Sequence, residues 1–160
     1  GGLKAIYFFD RIDDPFTISA GNEATAMNVS LTAAFEFDLK SDNNNFEEVG
    51  TADKNTGTYT VEQTATFSLK KQDKDTANEI NLLAKAQPGC VIKFRDGSFR
   101  AVGISDGVVI SGTGVSGGAK GEFNGYNLTA TATEVALAPK LDSATVTAFE
   151  AVISGTQISV

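Results

Sequence analysis

The chain has 160 residues, a formal net charge of −7, one cysteine and no histidine. One domain of that length buries roughly 70% of its unfolded surface, so it needs neither disulfide nor metal to fold. Without histidine, Ser-His-Asp and Cys-His nucleophiles and His-ligated zinc are excluded, and the acidic balance disfavours wrapping nucleic acid.

LKAIYFF (3–9) is a short apolar run that predicts a buried strand, closed by the turn DRIDDP. NVSLTAAFEFDL (28–39) alternates: Leu31, Ala33, Phe35, Phe37 and Leu39 fall on one face, Thr32, Ala34, Glu36 and Asp38 on the other. KSDNNNFEEVGTADKNTG (40–57) is polar with little periodicity and reads as a long loop or hairpin tip. In TYTVEQTATFSL (58–69), Tyr59, Val61, Ala65, Phe67 and Leu69 share a face that Gln63 interrupts. Thr60, Glu62, Thr64, Thr66 and Ser68 form a wet face, which suits β-branched threonine.

Thr76 and Glu79 have the spacing of a capping box, and Ala77, Ile80, Leu83 and Ala84 follow at helical spacing. A helix is therefore expected over about 75–87, stopped by Pro88-Gly89. VIKFRDGSFRAVGI (91–104) predicts a hairpin with a type I′ turn at Asp96-Gly97. Asp106-Gly107 turns into VVISG (108–112), a glycine-rich stretch follows, and Asn124-Gly125 leads into YNLTATATEVAL (126–137). Here Tyr126, Leu128, Ala130 and Ala132 oppose Asn127, Thr129, Thr131 and Thr133. SATVTAFEAVISG (143–155) is expected as a last strand. The fold class is mainly β: a β-sandwich or partly open barrel of about eight strands with one flanking helix, in a single domain over 1–160.

Several motifs resemble chemistry without its context. Gly112-Thr-Gly114-Val-Ser-Gly117 spells G-x-G-x-x-G, but no helix pattern follows, so it reads as a β-loop. Asp10, Asp13 and Asp14, and Asp42 to Asn45, lack the register of a calcium loop and read as turns. Asn28-Val-Ser30 and Asn127-Leu-Thr129 match the glycan acceptor pattern. Glu36, Asp38 and Glu62 have no aromatic walls around them to build a glycosidase cleft. Cys90 reads as a small buried hydrophobe. No catalytic residue, cofactor or metal is expected. No window approaches the apolar length of a membrane span, and no charged-then-apolar leader is seen, so neither a span nor a signal peptide is expected.

In order and pattern, GGLKAIYFFDR, the polar stretch 40–57, TYTVEQTATFSLKK, DTANEINLLAKA, VIKFRDGSFRAVG, DGVVISG and GEFNGYNLTATATE resemble the tail tube proteins of long-tailed phages. The resemblance implies a virion structural protein and not an enzyme. It implies a β-sandwich whose copies join sheets edge to edge into hexameric rings that stack into a hollow tube, through which DNA passes without specific binding. The partners it implies are further copies of the chain, a terminator and a tape measure, with no membrane involved. The long loop is then expected at the inter-ring interface through Asn43, Asn44, Asn45, Phe46, Glu47, Glu48 and Val49, with Glu36, Asp38 and Glu62 lining the lumen. Related alternatives are a tail terminator, neck ring or other virion protein, and further off a secreted carbohydrate-binding module.

Overall fold

The computed structural model describes residues 2–39, 44–69, 85–115 and 125–158. Its strands are β1 (Leu3–Phe9), β2 (Phe16–Ile18), β3 (Glu23–Met27), β4 (Ala34–Asp38), β5 (Asn45–Asp53) and β6 (Thr58–Leu69). They continue as β7 (Gly89–Phe94), β8 (Phe99–Val102), β9 (Val109–Val115), β10 (Gly125–Glu134), β11 (Lys140–Leu141) and β12 (Ile153–Ile158). Helix α1 spans Ser143–Glu150.

The strands form two sheets. An eight-stranded sheet runs β12-β4-β1-β7-β8-β11-β3-β2, and a four-stranded sheet runs β5-β6-β10-β9. β1 explains the layering, because it is buried on both faces. Leu3, Ile6 and Phe8 enter one apolar cluster with Phe67, Leu128 and Ala130 of the small sheet. Ala5, Tyr7 and Phe9 enter a second cluster with Phe16, Phe99 and Phe149. A register shift between Leu3 and Ala5 accommodates the odd spacing from Leu3 to Ile6. The large sheet is thus the middle layer, with the small sheet on one side and α1 on the other.

The chain is mainly β, as its composition and alternation predict, but three local expectations are corrected. The span 143–155 is not one strand: α1 occupies 143–150 and β12 follows. Its Thr and Val favour strand, yet the Asp142 carboxylate caps the helix by accepting the Thr145 amide at 2.8 Å. Burial of Phe149 against Tyr7, Phe9, Phe16 and Phe99 then outweighs propensity. The stretch 40–57 is not a plain loop, since residues 45–53 form β5 and pair with β6 along its length.

Between the first two predicted strands lies a further hairpin, β2–β3, turned at Ser19–Asn22 with Asn22 at φ 57°. At 94–98 the turn is not type I′, which requires positive φ at Asp96 as well as Gly97. Only Gly97 has it, at φ 93°, and the Phe94 amide bonds the Ser98 carbonyl around a three-residue loop with its glycine in the left-handed region. The predicted helix at 75–87 lies largely outside the described residues; Lys85 and Ala86 are helical.

Candidate functional site

The distinctive surface is the outer face of the small sheet. Strand alternation sends Val61, Gln63, Ala65 and Phe67 of β6 inward, with Leu128, Ala130, Ala132 and Glu134 of β10. The opposite set points to water, as the sequence predicts: Thr60, Glu62, Thr64, Thr66 and Ser68, with Asn127, Thr129, Thr131 and Thr133. Register makes rows of these residues. Asn45, Thr66, Thr129 and Ser111 form one, Glu47, Thr64, Thr131 and Val109 the next, and Val49, Glu62 and Thr133 a third. Hydroxyl and amide groups dominate, so the face binds water without a strong field.

Inward-pointing polar groups of this sheet hold loops of the other. The Gly103 amide donates to Gln63 Oε1 at 3.0 Å. Ser105 gives its amide at 3.0 Å and its hydroxyl at 2.7 Å to the two oxygens of Glu134. Glu48 accepts the Ala138 amide at 2.7 Å and approaches Arg100 at 3.7 Å. Among the described residues each buried side-chain polar atom keeps a partner, and the two sheets are tied together.

The expected interface residues separate by parity along β5. Asn43 lies outside the described residues. Asn44 is only 2% exposed and joins the sheets: its carbonyl accepts the Leu3 amide and its side chain the Ser68 amide. Phe46 packs on the chain's own core, 6.3 Å from the Phe94 ring, and Glu48 points inward as described. These three residues make contacts within the fold. Asn45, Glu47 and Val49 point outward and are exposed.

The three expected lumen carboxylates do not share a face. Glu62 lies exposed on the threonine face. Glu36 is on β4 of the large sheet, opposite Tyr7, and Asp38 follows on that strand opposite Ala5. β4 and β6 are not neighbours: they lie in different sheets.

The motifs with chemical resemblance have structural places. Gly112 and Gly114 lie within β9, and Gly117 lies outside the described residues. The carbonyls of Asp13 and Asp14 receive the Asn28 side-chain amide at 3.3 and 3.2 Å, which fixes a turn. Cys90 is buried in the inter-sheet core, and desolvation pushes its thiol far up, so it stays protonated. A pocket of about 360 Å³ is lined by Phe46, Glu48, Phe94, Asp96, Ser98 and Arg100. Its polar groups are mutually engaged: Arg100 pairs with Glu48 and sits 5.8 Å from the Phe94 ring, while Asp96 accepts from Ser98.

Sequence reading missed the sheet edges. Among the described residues β5 and β9 end the small sheet, and both pair inward without any register shift. The edge pairs of the large sheet, β12–β4 and β2–β3, each carry one. β9 also has no charged residue and no proline (VISGTGV). Bulges, charge and proline are the usual protection of an exposed edge, and β9 has none of them. The signal was present in the neutral run 108–115, but only topology shows that it lies at an edge.

The fold and this surface define a two-sheet β protein whose small sheet has a water-facing outer side and an uncharged, regular edge at β9. No family model, no curated protein and no solved structure matches the chain.

Proposed function

We propose that the protein is a self-assembling phage tail tube subunit, a virion component rather than an enzyme. The observation that carries this reading is the small sheet, whose two edge strands pair without a register shift and whose β9 edge also lacks charge and proline. Its three antiparallel junctions make β5 and β9 run in opposite directions. Copies related by rotation about one axis then meet β9 to β5 in antiparallel sense, and the ladder continues through the ring without a break. Closure removes the edges that make a monomer prone to aggregate.

In such a ring the threonine face lines the lumen, with Glu62 repelling the phosphates of DNA in transit. The β5–β6 hairpin supplies contacts to the next ring. Residues 51–60 are exposed on both faces and extend beyond the end of β10, so this ribbon projects past the sandwich with no core of its own. Terminator and tape measure proteins would contact the assembled tube rather than the free subunit.

Negative-stain electron microscopy of the concentrated, untagged protein tests this. Open-ended tubes of stacked rings are expected. Single rings that never stack would move the assignment to a terminator or neck ring, and a monomer at all concentrations would overturn it.

A further inference from the structure

We infer that the seam between neighbouring copies is set by Val49 of β5 meeting Val109 of β9 directly across the joined edges. This rests on the ring reading above and adds the residues and register of its interface. Both side chains are 51% exposed, on the outer face of the two edge strands. That face otherwise presents threonine, serine, asparagine, aspartate and glutamate among its described side chains. Isolated exposed valines are unremarkable, but one on each edge of the same face can be covered together by a single contact.

Geometry narrows the register before chemistry chooses. In the free subunit the row through Val109 passes Thr131 and Thr64 and ends at Glu47. A closed barrel needs tilted strands, so the seam cannot repeat that row without stagger. The stagger must also be even, because a one-residue slip would turn the threonine face into the core. The smallest permitted shifts place Val109 opposite Val49 or opposite Asn45. The first buries two apolar side chains against each other, and the second sets a valine against an amide.

Cysteine cross-linking reads the register directly. Opposed residues in an antiparallel pair have Cβ atoms about 4.5–5.5 Å apart, within reach of a disulfide, while diagonal neighbours at roughly 7–8 Å are not. The native Cys90 is buried and does not compete. The double variants Val49→Cys/Val109→Cys and Asn45→Cys/Val109→Cys are assembled, oxidised with diamide and run on a non-reducing gel.

A ladder extending beyond dimer is expected for the first variant only, because each copy then carries one thiol per edge. A ladder from the second variant alone, or tubes in the microscope with a ladder from neither, would overturn this register and leave the ring reading standing. A protein that is monomeric as wild type would overturn both. In case the cysteines disturb assembly, Val109→Glu is the second probe. It should leave the unfolding midpoint unchanged and raise the concentration needed for assembly by at least about tenfold, with recovery when Val49→Lys is added. Unimpaired assembly of Val109→Glu would likewise overturn the proposal.

Discussion

Gln63 and Gly103 are joined by one hydrogen bond that spans the inter-sheet space, from a backbone amide of one sheet's loop to a side-chain carbonyl of the other sheet. Gln63 is 1% exposed, and Gly103 has φ 64°, a conformation that favours glycine. Replacing Gln63 by Leu keeps the volume but removes the acceptor. The Gly103 amide is then left without its partner inside the sandwich, which costs about 1–3 kcal/mol. Urea unfolding of Gln63→Leu should show a lower midpoint with an unchanged slope; an equal midpoint would mean that water or another group replaces the glutamine.

Phe149 has no exposed surface and is the hub of the second cluster, with Tyr7 edge-on at 5.3 Å and Phe9, Phe16 and Phe99 within 6.5 Å. Truncation to alanine removes the main contact that docks α1 on the large sheet. Phe149→Ala is expected to cost roughly 3–5 kcal/mol. The near-ultraviolet circular dichroism of the tyrosine should flatten well before the far-ultraviolet strand signal is lost. A small shift in midpoint would show that the surrounding rings close the cavity.

The sheet faces were legible where alternation is long and the inward residues are apolar, as in β6 and β10. β5 was not, because its inward positions include Glu48, whose partners Ala138 and Arg100 are supplied by distant parts of the chain. Nothing local marks that glutamate as inward-facing. β2 and β3 were missed because three and five residues are too short to show a period. The Gly21-Asn22 pair between them was the available turn signal. The threonine face of the candidate surface could be read from spacing alone. Its edges could not, since which strand ends a sheet is a property of topology.

The N-cap of α1 makes a pH prediction. The Thr145 amide donates to the Asp142 carboxylate, and hydrogen bonding from Thr145 holds that carboxyl below its ordinary range. A carboxyl depressed in the folded state stabilises fully above its unfolded value, and that contribution fades as pH falls below about 4. Asn caps helices comparably but does not titrate. The unfolding midpoint of Asp142→Asn should therefore fall less steeply than wild type between about pH 5 and pH 2. Parallel acid limbs would show that other carboxylates dominate.

Phe46 distinguishes folding from assembly within one strand. From sequence it is the apolar anchor expected to bind a neighbouring ring, but its ring lies on the chain's own core beside Phe94. Phe46→Ala should then lower the stability of the isolated subunit by about 1–3 kcal/mol, in proportion to apolar area lost. Substitution at the outward Glu47, one residue on, should leave that stability within about 0.5 kcal/mol. Denaturant midpoints measured at a concentration below that of assembly separate the two effects. If Phe46→Ala leaves the midpoint unchanged yet prevents rings from stacking, the phenylalanine is released from its own core on assembly and acts as the inter-ring anchor after all.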